Sequence, residues 1–153
     1  MNDRIARVPR DAFRCCRWSM AALMWLGVLT GSLLPIALVW LHMLVSAVVT
    51  MRWSPVPWLY TRTLHRRWPS EYEELSIPAM RFSHSIASVL IGLPLLLVLL
   101  GGPRAVALGW RWLTIMAIIK TVAAVTGCPA AKLFTCATSG DGTCCAFLRR
   151  KAG

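Results

Sequence analysis

Long stretches without a charge dominate the chain. No Asp, Glu, Lys or Arg occurs from Trp18 to Met51, nor from Phe82 to Pro103. A third run, Trp112 to Ile119, resumes past Lys120 and continues to Gly127. A bilayer core about 30 Å thick takes roughly 20 residues of helix, so these runs are read as membrane spans. The first is too long for one crossing, because 34 residues rising 1.5 Å each would reach about 51 Å. Gly31-Ser32 supplies a turn within it, and Pro35 suits the first turn of a new helix. Two short spans result, about 15–31 and 34–51. A third is expected over about 82–100, with Gly92 and Pro94 offering a kink. Gly101-Gly102-Pro103-Arg104 makes a hairpin turn, and a fourth span follows over about 106–126, anchored at the interface by Trp110 and Trp112.

Between the two hairpins the pattern changes. Val56, Tyr60, Leu64 and Trp68 recur every four residues, with Arg62, Arg66 and Arg67 off that stripe. A helix opened by Pro55 or Pro57 would lie in the interface with its aromatics buried, until Pro69 stops it. Ser70, with Glu73 three residues on, resembles a capping box for another short helical turn. Glu71, Glu73 and Glu74 are read as a solvated turn that neutralises nearby arginines. The predicted fold is therefore all-α: an integral membrane four-helix bundle of two helical hairpins, with an interfacial amphipathic helix between them.

Charge then fixes the expected orientation. The 153 residues are 57% hydrophobic yet carry a net charge of +11. In a soluble chain that excess would suggest nucleic acid, but here the arginines alternate with spans and no nucleic-acid motif accompanies them. Basic residues accumulate in loops that stay cytoplasmic. Arg4, Arg7, Arg10, Arg14 and Arg17 precede the first hairpin; Arg52, Arg62, Arg66, Arg67 and Arg81 follow it. Both groups prefer the cytoplasm, so the intervening segment crosses an even number of times. The N-terminal stretch lacks a small-residue cleavage site and is read as a retained arm rather than a signal peptide. The expected organisation is a basic cytoplasmic arm (1–17), a transmembrane domain (18–127, with the cytoplasmic loop 52–81) and a Cys-rich cytoplasmic tail (128–153). The expected setting is the bacterial inner membrane, with both termini cytoplasmic.

This topology gathers every thiol on one side. Cys15 and Cys16 sit at the cytoplasmic mouth of the first span, and Cys128, Cys136, Cys144 and Cys145 follow the fourth. That compartment is reducing, so metal or redox work is a better reading than a disulfide framework. Gly127 is a natural C-cap, and Pro129 suits the first position of a following helix. Cys128 would then be an N-cap facing unpaired amides, an environment that favours a reactive thiolate, with Lys132 one turn on. Cys128 is expected to be the most reactive thiol and Cys136 the second candidate. The spacings 128–136 and 136–144 contain no Cys-x-x-Cys and so no zinc knuckle. The pairs Cys15-Cys16 and Cys144-Cys145, with His84 at similar depth, are candidate ligands for a soft metal ion (Zn, Cu or Hg).

Two ionisable residues fall inside predicted spans. His42 lies near the middle of the second and Lys120 about two thirds along the fourth; such groups are rare and usually face the bundle interior. His42 is read first as an imidazole bonded to a neighbouring hydroxyl or carbonyl, and otherwise as a conduit ligand or proton carrier. Lys120 is expected to snorkel toward the cytoplasmic headgroups.

The order of basic arm, helical hairpin, Arg-Trp-Ser-Pro (52–55), basic loop, Pro-x-x-Arg-Phe-Ser-His (78–84) and Ala-Val-Thr-Gly-Cys (124–128) resembles a bacterial membrane family of unknown function with four helices. The resemblance covers roughly 14–136. Members typically open helix three with an Arg-Phe-x-Gln-like start and close helix four in Gly-Phe-Cys-x-Gly-Cys. This chain instead has His84 and Gly127-Cys128-Pro129, without the close second cysteine. The resemblance implies association with thioredoxin-like or sulfurtransferase proteins. The Cys-Pro to Thr-Cys segment is also similar to small rhodanese-associated membrane proteins, and the paired cysteines more loosely to mercuric-ion transporters.

Three functions follow as expectations. The chain presents cytosol-facing cysteines to thioredoxin-like or sulfurtransferase partners; or it transports a soft metal ion; or it is a passive structural subunit. No P-loop, GxSxG or HExxH occurs, so the chain is not expected to be an enzyme by itself. The lipid bilayer is its first partner.

Overall fold

The computed structural model describes residues 5–49, 55–64, 67, 71–127 and 134. Its elements in chain order are β1 (Ile5–Pro9), α1 (Arg10–Thr30), α2 (Leu33–Val48), α3 (Pro55–Thr63), β2 (Tyr72–Ser76), α4 (Ile77–Leu100) and α5 (Pro103–Thr126). Among the described residues the fold is all-α apart from one two-stranded antiparallel ribbon.

Helix limits follow local chemistry. Gly31 ends α1 in the left-handed region at φ 64°, where a side chain would strain the backbone. The Gly31 and Ser32 amides both donate to the Gly27 carbonyl and close the turn. Pro78 lies in the first turn of α4 and Pro103 in that of α5, where a missing N–H costs nothing. Gly127 ends α5, as its position in the sequence predicts, with its N–H on the Ala123 carbonyl.

The four long helices form a ring in which α1 touches α2, α2 touches α4, α4 touches α5, and α5 returns to α1. Each hairpin packs its own pair, and the two hairpins close on one another. The central core is Met20 and Met24 from α1, Ile36, Val39 and Met43 from α2, Ile91 and Leu95 from α4, and Leu113, Met116 and Ala117 from α5. Those positions recur at three and four residues, one inward face per helix.

Close approach is set by glycine. A Cβ at Gly92 would meet the Trp40 indole Nε1 at 2.6 Å, and one at Gly27 would collide with the Ile36 side chain. Small residues at helix contacts let backbones approach, which is how helices pack where solvent gives no hydrophobic drive. Pro94, inside α4, has no N–H for the Leu90 carbonyl four residues back. The indole N–H of Trp112 on α5 donates to that carbonyl at 3.1 Å and repairs the gap.

Two helices, α4 and α5 at 24 residues each, are long and apolar enough to cross a membrane. The expected four fall to two by this measure, because α2 has only 16 residues and the first two turns of α1 hold Arg10, Asp11, Arg14 and Arg17.

Two local expectations are corrected. The arm includes a strand, β1, which pairs with β2 in the register Ile5 to Ser76 through Pro9 to Tyr72, and the Arg10 amide donates to the Glu71 carbonyl. Glu73 therefore lies in a strand, in register with Val8, rather than in a capped helical turn. Helix α3 starts at Pro55 as expected but ends at Thr63, well before Pro69, and packs on α1. Arg62 stacks over the Trp58 ring at 4.5 Å.

Candidate functional site

Near the end of the bundle that holds the N-terminus of α1 and the C-terminus of α5, each of the four long helices brings an ionisable side chain toward the interior: Cys16, His42, His84 and Lys120. The inward stripe of α1, through Ala12, Cys16, Met20 and Met24, places the thiol. On α2 the buried face runs Ile36, Val39, Met43 and Ser46, with His42 beside it. His84 follows buried Met80 and Ser83 on α4, and Lys120 falls between buried Ala117 and Ala124 on α5. The periodicity that builds the core thus delivers these four groups to it.

The closest contact is between sulfur and imidazole. Cys16 Sγ lies 3.5 Å from His42 Nε2, and both residues are buried, Cys16 at 4% exposure. Either the thiol donates to the imine nitrogen or the ring N–H donates to the sulfur, so the pair can hold one proton in two places. Across the layer, Lys120 Nζ donates to Met43 Sδ at 3.4 Å. His84 donates from its ring to the Ser46 carbonyl, while its Nδ1 is buried with no hydrogen-bond partner. Lys120 is near enough to act electrostatically on Cys16, His42 and His84.

The expected site residues separate into three groups. Cys16, His42, His84 and Lys120 come together. Cys15 does not join them, because one residue along a helix turns the side chain about 100°; it is exposed while Cys16 is buried. The candidate metal pair is therefore split. Among the described residues no three His, Cys, Asp or Glu side chains converge as a metal site. Cys128, Cys136, Cys144 and Cys145 lie outside the described residues.

Lys120 departs from its expected snorkelling. It shares the inward face with Leu113, Ala117 and Ala124, so its stem leads into the bundle and its ammonium meets the Met43 thioether. His42 is placed at the depth of Cys16 and contacts a sulfur, a partner its sequence neighbourhood does not suggest. The sequence shows the two helices and their turn, but not the relative depth at which their side chains meet. Residues the sequence did not single out are Met43 and Ser46, the partners of Lys120 and His84.

Neither a curated protein nor a solved structure matches the chain. The family model described as Domain of unknown function (DUF4395) matches residues 8–138, nearly the whole chain and all four layer residues, and the protein belongs to that family.

Proposed function

We propose that this protein is a four-span bundle of the bacterial inner membrane that carries a working thiol at its cytosolic mouth, for exchange with thioredoxin-like or sulfurtransferase partners. Four crossings are supported by the outward faces of all four long helices. Leu26 and Leu29 on α1, Leu34, Leu38 and Leu41 on α2, Leu93, Leu96 and Leu99 on α4, and Ile115, Ile118 and Val122 on α5 are all exposed. A continuous apolar girdle of that extent suits lipid and not water. The basic residues Arg10, Arg14 and Arg17 at the Cys16 end support a cytosolic assignment of that end, by the positive-inside rule.

The observation that carries the thiol reading is the 3.5 Å contact between Cys16 Sγ and His42 Nε2. An ionisable pair inside a membrane bundle is costly to keep and marks function by default. His42 is placed to take the Cys16 proton as the sulfur becomes a nucleophile, and to return it when the sulfur leaves. Cys15, exposed one residue away, is the thiol of the pair that a protein partner can reach. A resident metal finds less support, because Lys120 adds a positive charge to the same layer and the described ligands stop short of three.

The test is the alkylation rate of Cys16, as the one remaining cysteine, by a small membrane-permeant reagent across pH. His42→Ala is expected to lower the rate about tenfold near neutral pH and to shift the pH profile, as loss of a positioned base does. Identical profiles with and without the imidazole would refute the pairing as chemistry.

A further inference from the structure

A second feature of the mouth is independent of the thiol layer. A groove of about 400 Å³ opens between α1 and the last turns of α5, lined by Arg10, Arg14, Arg17, Trp18, Ala124 and Val125. The arginines are spaced four and three residues apart, so they share one face of α1. Arg17 donates from Nη1 to the Ala123 carbonyl at 3.5 Å and stacks over Phe13 at 4.7 Å. Those contacts hold the guanidinium in place but leave its Nε buried with no hydrogen-bond partner. Guanidinium groups bind oxyanions through charge-assisted hydrogen bonds, so a groove walled by three of them suits an anion. Among the described residues no carboxylate lines the groove.

The lining has two characters. Three guanidinium groups form one wall, while Trp18, 47% exposed, and Val125, 68% exposed, present apolar surface at the rim. A free inorganic anion would use the first and gain nothing from the second. An amphiphile with a phosphodiester head and a hydrocarbon body uses both, and a groove of this volume accommodates such a head.

We propose that this groove is a binding site for the headgroup of an acidic phospholipid, with Arg10, Arg14 and Arg17 on the phosphate and Trp18 and Val125 against its glycerol and acyl portion. The assignment rests on the membrane reading above. It places an anionic lipid beside the α1 segment that carries Cys16, so the same helix that holds the thiol is fixed to the inner leaflet.

The full chain in neutral detergent is titrated with short-chain phosphatidylglycerol, phosphatidylcholine and inorganic phosphate, with bound ligand counted by native mass spectrometry. Phosphatidylglycerol is expected to bind at least tenfold more tightly than phosphatidylcholine. The exposed pair Arg10→Gln with Arg14→Gln should weaken it about tenfold or more. The control pair Arg62→Gln with Arg104→Gln removes the same charge outside the groove and should change it less than twofold. Equal loss in both pairs, or equal binding of the two lipids, overturns the site. Inorganic phosphate displacing phosphatidylglycerol at equal concentration overturns the lipid assignment in favour of a soluble anion. Flotation with phosphatidylcholine liposomes reads the membrane assignment separately: a wild-type chain that does not float refutes that reading, whereas one that floats without headgroup preference refutes only the groove.

Discussion

The two ends of the bundle are built on different principles. Toward the hairpin turns the interior is apolar and closely fitted: Met24, Ile36, Ile91 and Leu113 are fully buried, and Gly27 and Gly92 bring helices into contact. Its main polar event is a repair, the Trp112 indole on the Leu90 carbonyl that Pro94 leaves open. Toward the termini the same four helices hold a thiol, two imidazoles and an ammonium, with Met and Ser between them. The first end gains stability from shape. The second sacrifices it, because buried polar groups cost free energy unless fully partnered, and His84 Nδ1 is not. On the proposed function, the contrast is between a scaffold at one end and a working layer at the other.

Substitutions that break the contrast are expected to have graded effects. Ile91→Ala empties the fitted end and should cost ~2–5 kcal/mol of unfolding free energy, measured by denaturant titration in micelles. Gly92→Val drives a branched side chain into Trp40 and should cost about 1–3 kcal/mol in the same assay. Trp112→Phe keeps the ring but leaves the Leu90 carbonyl without its donor, for a loss of about 1–3 kcal/mol. If it is as stable as wild type, the repair contributes nothing. At the other end, Lys120→Met should be neutral or stabilising, since replacing an inward-facing, part-buried ionic group by an apolar one of similar size often is, yet it should alter Cys16 alkylation. A loss of more than about 2 kcal/mol there would show the working layer to be structural, and the comparison between the ends would fail.

One expectation concerns the tail. Among single-cysteine variants, Cys128 should alkylate several-fold faster than Cys136 near neutral pH if it caps a helix beyond Gly127. Equal rates would remove the capping argument.

How much of this was legible in the sequence depends on what each feature rests on. The hairpins were readable because Gly31-Ser32 and Gly101-Gly102-Pro103 carry their own backbone preferences. The start of α3 at Pro55 and the cap at Gly127 were local in the same way. The β1–β2 ribbon was missed because it joins residues more than sixty positions apart, and neither strand alone has a strong pattern. Meeting of Cys16 with His42 was missed for a related reason: periodicity gives the face of a helix but not its depth against a neighbour. Lys120 was expected at the headgroups on the length of its stem, and the inward face it shares with Ala117 and Ala124 decided otherwise. Trp112 was read as an anchor; that it also repairs a carbonyl freed by Pro94 needed the α4–α5 register.

The most direct test of the central claim is sided labelling of Cys15 and Cys16, each as a lone cysteine, in oriented vesicles. A membrane-impermeant maleimide should label Cys15 in inside-out vesicles and leave it unlabelled in right-side-out ones. Cys16 should resist that reagent from both sides, yet react with a small permeant one at a rate that depends on His42. Labelling of Cys15 from the periplasmic side, or of Cys16 as readily as Cys15, would contradict a buried thiol held at the cytosolic mouth of a membrane bundle.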